Sequence, residues 1–211
     1  MRIAAILLIF LSLTYLSFAD SSTYVCSDKP TMKERLRCQL NLPEETLKSV
    51  SYLPEQCLAL SVTSSSSGRD NCISDYKLYN SCLYLENDEK RDACIKSKLH
   101  LGASTSSDVV QCNSKPGAYK ALCLQNLRDN TYKLALFRMN VVEYKVWKMI
   151  KLGLNEDDGL NFMVTLEESK AKFNSAPSLT YKQTYLEELN TTWLDFKESV
   201  RKQLNLPGES S

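Results

Sequence analysis

The chain has 211 residues and a mass of 24.0 kDa, enough for one or two small domains. Its 26 Lys and Arg residues nearly balance its 25 Asp and Glu residues, so net charge does not hold it on nucleic acid or an anionic membrane. The single histidine excludes metal sites that need two histidines.

Residues 1–19 predict a secretory signal peptide. Arg2 supplies the positive charge, Ile3 to Leu16 form an apolar stretch, and the small residues Ser17 and Ala19 precede a cleavage point after Ala19. An uncleaved membrane anchor is the alternative, but this stretch is shorter than the roughly 20 apolar residues that cross a bilayer. Because no later stretch is apolar enough to span a membrane, we expect a secreted or cell-envelope protein.

All eight cysteines follow the predicted cleavage point. An even number of cysteines in an exported chain predicts four disulfides. A zinc cluster is the alternative, but it requires closely spaced C-x-x-C pairs, which this sequence lacks. We predict that each cysteine pairs with its neighbour in the chain: Cys26–Cys38, Cys57–Cys72, Cys82–Cys94 and Cys112–Cys123.

The pairing follows from helix geometry. A helix between Cys72 and Cys82 would place these two residues some 15 Å apart, whereas a disulfide needs Cα atoms within about 7 Å. The segments that begin at Cys57 and Cys82 also share a pattern, C-L-x-L followed by a polar loop and R-D-x-C-I. Residues 20–125 therefore read as repeated αα-hairpins, each stapled at its corner, with Ser-rich loops at 61–68 and 102–107.

The cysteine-free half predicts three further helices. No Pro or Gly occurs between Ala118 and Leu152, and Gly153 ends the segment, so we expect one helix of about 35 residues. A second helix is predicted over 158–174 and a third from Thr180, where Thr180 and Gln183 form a capping box. The apolar stripes at helical spacing are Leu127, Leu134, Phe137, Val141, Tyr144, Val146, Trp147 and Ile150 in the first of these helices, and Tyr185, Leu189, Trp193, Phe196, Val200 and Leu204 in the third.

These elements together predict an all-α fold. Disulfide-stapled αα-hairpin repeats run into a three-helix antiparallel bundle over residues 118–206, and the long helix belongs to both parts. Residues 207–211 form a polar tail. The acidic stretch Asn155–Asp158 is interpreted as a helix start, because a calcium loop in this register would place Leu154 and Thr165 where acidic ligands are required.

Catalytic candidates are few. His100 is the only imidazole, it lies near a predicted helix end, and no G-x-S-x-G motif accompanies it. The acid pairs Glu44-Glu45, Glu167-Glu168 and Glu187-Glu188 are adjacent in sequence and diverge by about 100° on a helix, whereas hydrolytic carboxylates face each other across a cleft. We therefore assign no catalytic residue, metal or cofactor, and we predict that the protein is not an enzyme.

Two surface features are weaker candidates. Arg138, Lys145 and Lys148 share one face of the long helix and form a weak basic face, although Glu143 lies among them. Asn190-Thr191-Thr192 is an N-glycosylation sequon beside the apolar stripe of the last helix.

The R-D-N-C and R-D-A-C units with the cysteine-free helical tail resemble uncharacterised exported Cys-rich helical-repeat proteins of small-genome archaea. The resemblance implies an extracellular or envelope setting and transfers no catalytic residue. From the sequence we expect a non-enzymatic interaction or structural protein that presents a disulfide-rigidified helical surface to a protein or envelope partner, without nucleic acid. The alternatives are a carrier of a lipid or small apolar ligand, and a hydrolase of unrecognised type.

Overall fold

The structure is a computed structural model that describes residues 25–48, 55–58 and 66–204. These residues form helices and contain no β-strand, which confirms the predicted all-α class. The predicted signal peptide and polar tail lie outside the described residues. The helices are α1 (Met32–Leu40), α2 (Glu44–Lys48), α3 (Glu55–Leu58), α4 (Ser66–Leu83), α5 (Asp88–Lys98), α6 (Thr105–Asn113), α7 (Gly117–Lys151), α8 (Glu156–Ser175) and α9 (Leu179–Gln203).

Helix α7 is the long helix predicted from the sequence. It has 35 residues, which corresponds to a length of about 52 Å. Its end has the geometry of a Schellman motif: the amide of Leu154 donates to the carbonyl of Met149 at 3.0 Å, and the amide of Gly153 donates to that of Ile150 at 3.1 Å. Gly153 has a φ of 109°, which explains why glycine ends the helix.

Two hydrophobic cores lie on opposite faces of α7. On one face Leu134, Phe137 and Val141 pack against Tyr79 of α4 and Ile95 of α5. The other face packs against α1, α8 and α9, with a core that includes Leu36, Met139, Val146, Leu160, Leu166 and Phe173. Burial against two separate layers explains why the apolar stripe of α7 is wider than one helix face requires.

The register of side-chain contacts gives the direction of each helix relative to α7. Asp75 pairs with Lys133 at 2.8 Å and the ring of Tyr84 meets that of Tyr144, so α4 runs parallel to α7. Arg138 pairs with Asp92 while Lys145 pairs with Asp88, so α5 runs antiparallel.

Helices α7, α8 and α9 alternate in direction, with α8 in the middle. Tyr132 near the middle of α7 contacts Phe173 late in α8, and Phe173 in turn contacts Lys182 early in α9. At the opposite end, Asp158 accepts a hydrogen bond from Gln203. Helix α1 also packs on α8, so the first stapled segment adds to this core and the described contacts do not show one hairpin stacked on the next.

All four predicted disulfides are present, with Cα–Cα distances between 5.4 and 5.7 Å. Three of them join consecutive helices: α3 to α4, α4 to α5, and α6 to α7. The first differs, because Cys26 lies in a turn with a φ of 71° and is joined to Cys38 within α1.

Three helix starts differ from the sequence predictions. Helix α4 begins at Ser66 and α6 at Thr105, inside the stretches that we predicted as loops. Helix α9 is capped by the hydroxyl of Ser178, which accepts from the amide of Tyr181, so the predicted Thr180–Gln183 capping box is wrong. The reason is common to α6 and α9: a serine hydroxyl caps a helix as readily as it stabilises a loop.

The segment from Thr105 to Asp129 forms a hairpin of α6 and the start of α7, which we call the stapled hairpin. Cys112 is the only residue of this segment that is buried. Its disulfide to Cys123 therefore holds two helices together where an apolar core does not.

A disulfide can add to an apolar core or hold two helices together without one. Replacing one disulfide of each kind by a pair of serines distinguishes these two roles. Cys82→Ser/Cys94→Ser removes a bond whose Cys82 end is fully buried in the α4–α5–α7 core, and we expect the free energy of unfolding to fall by about 3 kcal/mol or more. We call the described residues outside the stapled hairpin the body. Cys112→Ser/Cys123→Ser opens a loop of similar length, yet we expect the free energy of unfolding of the body to fall by less than about 1 kcal/mol, because the hairpin adds little to the core of the body.

Urea unfolding followed by tryptophan fluorescence measures the stability of the body in both variants, since Trp147 and Trp193 both lie outside the stapled hairpin. Hydrogen exchange should become faster within 105–129 only in the second variant. Equal losses of stability in the two variants would contradict this division.

Candidate functional site

The stapled hairpin carries three large apolar side chains in solvent. The exposed fractions are 69% for Val110, 72% for Tyr119 and 56% for Leu122. Side chains this exposed add nothing to the folded core, and a segment that carries three of them is a candidate contact surface. Sequence analysis missed this surface, because the periodicity of α7 shows which residues are apolar but not which part of the helix lacks a neighbour.

The residues of the predicted basic face have different surroundings. Arg138 pairs with Asp92 at 2.7 Å, and Lys145 pairs with Asp88, so α5 neutralises both. Lys148 instead lies over the Tyr144 ring, 5.2 Å from its centroid, and has no carboxylate partner within the described residues. The face therefore carries one uncompensated charge rather than a continuous cationic stripe.

An open groove of about 870 Å³ lies between α5 and α7. Phe137, Val141 and Leu101 contribute apolar surface to it, and the Arg138–Asp92 ion pair bridges its two walls. Because acidic and basic groups in the groove already pair with each other, its charge does not select for an anion or a cation.

A buried charge cluster joins α7 to α8. The ammonium of Lys170 donates to Glu167 at 2.6 Å and to Glu143 at 2.5 Å. Lys170 is only 1% exposed and Glu167 only 4%. Of the predicted acid pair Glu167-Glu168, one side chain thus points into the protein and the other into solvent.

The pKa values of both Glu167 and Lys170 are raised in this cluster, for different reasons. Burial raises the pKa of Glu167 to about 8, and the negative charge of Glu143 adds to this rise. Burial alone would lower the pKa of Lys170, but the two carboxylates outweigh it, so this pKa lies above its ordinary value. The sequence carried a signal for the cluster, since Leu166, Lys170 and Phe173 have the spacing of one helix face.

A small cavity lies beside the buried charge cluster, where α1, α2, α4, α7 and α8 meet. It has a volume of about 60 Å³. Its wall includes the carboxylate residue Glu143 and four aromatic side chains: Tyr76, Tyr84, Tyr144 and Trp147. The indole N–H of Trp147 is shielded from solvent and reaches no hydrogen-bond acceptor among the described residues.

His100 terminates α5. The amide of Leu101 donates to the carbonyl of Lys96 at 2.9 Å and that of His100 to Ser97 at 3.2 Å, which is the arrangement found at the end of α7. His100 has a φ of 52°, so it occupies the position that Gly153 fills in α7. The structure thus places His100 at the end of α5, as the sequence predicted.

The acidic stretch before α8 is a helix start, as predicted. The side chain of Asn155 accepts from the amide of Asp158 at 3.1 Å. Glu156 pairs with Arg37 at 2.7 Å, and Asp157 pairs with Lys33 at 2.9 Å, so these carboxylates dock α1 on the beginning of α8. The side chains that a calcium loop would use as ligands are therefore engaged in capping α8 and in ion pairs with α1.

The sequon residue Asn190 is exposed on α9, so its side chain is open to modification. The hydroxyl of Thr192 donates within the helix to the carbonyl of Glu188 at 2.9 Å. Glycosylation at Asn190 stays a prediction. No helix within the described ranges combines the length and the apolar character that crossing a bilayer requires.

The buried charge cluster makes stability depend on pH. The folded protein keeps the Glu167 proton up to about pH 8, whereas an ordinary glutamate, as in the unfolded chain, releases it near 4.5. Between these values the folded state binds more protons, so we expect the free energy of unfolding to fall as pH rises from about 5 to 8. The pKa of Asp88, which a hydrogen bond from Lys145 lowers, places its titration below this window.

Urea unfolding at several pH values tests this dependence. Glu167→Gln should flatten the slope between pH 5 and 8, and the exposed neighbour provides the matched control, since Glu168→Gln should retain it. If the free energy of unfolding still falls with pH in Glu167→Gln, or if it rises with pH in the unaltered protein, the cluster does not hold the proton.

Comparisons with protein-family models, with curated proteins and with solved structures find no match to this chain. The resemblance to exported archaeal proteins stays a prediction. The function is therefore argued from the geometry of the molecule.

Proposed function

We propose that the protein is an exported, non-enzymatic interaction protein that contacts a protein partner through the stapled hairpin. The observation that carries this proposal is the exposure of Val110, Tyr119 and Leu122 on a segment in which Cys112 is the only buried residue. Aromatic and aliphatic side chains of this kind form the centres of protein interfaces.

The disulfide makes the hairpin suitable for binding. A flexible segment loses conformational entropy when it binds, and Cys112–Cys123 limits that loss by fixing α6 against α7 before a partner arrives. Since α7 continues without interruption from the hairpin into both cores, the body holds the hairpin at one end.

The disulfides also support the proposed location. Four disulfides and the absence of a free cysteine fit an oxidising compartment, because such bonds are rare where thiols are kept reduced. The nearly balanced charges favour a protein partner over nucleic acid or an anionic membrane.

The two alternative functions have less support. A carrier must enclose its ligand, and ligand pockets usually measure about 300–1,000 Å³. The aromatic-walled cavity measures about 60 Å³, too little for a lipid chain, and the groove of about 870 Å³ between α5 and α7 is open to solvent and does not enclose a ligand. A hydrolase based on His100 has no sequence support, since no G-x-S-x-G motif accompanies this single histidine.

Substitution of the exposed apolar residues tests the proposed contact surface. We expect Val110→Ser/Tyr119→Ser/Leu122→Ser to change the stability of the body by about 0.5 kcal/mol or less, because these side chains are not packed in the core. The same triple variant should weaken partner binding at least tenfold. The matched control replaces three apolar residues of similar exposure on α9, Leu179→Ser/Tyr181→Ser/Leu194→Ser, and should bind normally.

Binding is measured with a photo-crosslinking residue placed at position 119 on producing cells, and position 181 serves as the comparison. The proposal requires a specific product at 119 that excess unlabelled protein competes away. The captured partner is then titrated with both triple variants. If the hairpin variant binds as tightly as the control variant, the contact surface lies elsewhere.

A further inference from the structure

The aromatic cavity beside the buried charge cluster has the composition of a cation-binding site. The rings of Tyr84 and Tyr144 meet nearly at right angles, with centroids 5.2 Å apart and an interplanar angle of 84°. Trp147 stacks on Tyr144 at 5.9 Å, and Tyr76 contributes a fourth ring to the wall. A cation that lies over the face of an aromatic ring is attracted by the quadrupole of the ring.

The carboxylate at the cavity strengthens this attraction. Glu143 lines the cavity while it also accepts a hydrogen bond from Lys170. Glu167 shares the same ammonium, and Glu143 is the acid of this cluster that also lines the cavity.

Cations already lie over these rings. Lys48 is 5.3 Å from the centroid of Tyr84, and Arg91 is 5.6 Å from that of Tyr144. Carboxylates neutralise the charges of both residues: Lys48 pairs with Glu44 and Glu45, and Arg91 pairs with Asp88. Lys148 is the one nearby cation over these rings for which the described residues show no carboxylate partner.

We propose that this cavity binds a small quaternary ammonium ion. Such an ion has no N–H group that needs an acceptor, so a wall of aromatic rings with one carboxylate suits it better than it suits a primary amine.

The size of the cavity agrees with this class of ligand. A volume of about 60 Å³ exceeds the roughly 10–15 Å³ that one water needs on this measure. The space thus corresponds to about four to six water positions on this measure, comparable in number to the heavy atoms of a trimethylammonium group. This site is independent of the stapled hairpin, so either proposal can fail without the other.

Choline and its neutral analogue dimethylbutanol, in which carbon replaces the ammonium nitrogen, test the site directly. The full chain contains two tryptophans, so the Trp193→Phe variant leaves Trp147 as the only fluorescent indole. We expect choline to change this fluorescence saturably, with half-saturation at a concentration at least tenfold lower than for dimethylbutanol.

Two further variants in the same background identify the residues responsible. Glu143→Gln should weaken choline binding at least fivefold, and Tyr144→Leu should remove it, while Glu187→Gln on the exposed face of α9 should leave it unchanged. Urea unfolding of each variant establishes that it is folded. The comparison of the two ligands on the otherwise unaltered cavity does not depend on these variants.

Three results would overturn the proposal. Equal half-saturation by choline and dimethylbutanol would show an apolar cavity without selectivity for charge. The absence of a saturable response to either compound would show that the cavity holds only water. Choline binding that is unchanged in both Glu143→Gln and Tyr144→Leu would place the ligand at another site.

Discussion

The disulfides between chain neighbours constrain this structure more than any other interaction. Each closes a loop of 11 to 15 residues, so each acts on one bend of the chain and not on the relation between distant parts. In the loop-entropy model such a bond stabilises the folded state by about 3 kcal/mol. A short helix that buries little surface, such as α6, depends on this contribution because few of its residues are available for a core.

This constraint divides the molecule into two kinds of structure. In the body, α7 separates two hydrophobic cores, and the disulfides add to burial that already exists. In the stapled hairpin the covalent bond replaces the core, which leaves large apolar side chains exposed. The body also contains buried polar groups. The Lys170 cluster and the aromatic cavity lie where helices meet, and hydrogen bonds and ring contacts there offset the free-energy cost of burying polar groups.

Features that depend on neighbouring residues were predictable from the sequence, and features that depend on distant contacts were not. The disulfide pairs follow from local spacing, and the end of α7 follows from Gly153. The capping box at Thr180 failed for a local reason, because Ser178 offers an equivalent hydroxyl two residues earlier. By contrast, the Glu143–Lys170 contact joins residues on two helices, and the helical pattern alone does not show which face of α8 meets α7. The exposure of the stapled hairpin likewise results from the absence of neighbouring helices, which periodicity cannot reveal.

Peptide mapping of the purified protein under non-reducing conditions tests the central claim most directly. The protein is digested without reduction, after free thiols have been blocked, and the linked peptides are identified by mass spectrometry. We expect four linked pairs, each joining cysteines adjacent in the chain, and no blocked thiol. A bridge between different bends, such as one from Cys72 to Cys82, or a blocked thiol in the mature chain, would contradict the account of a helical protein clamped bend by bend.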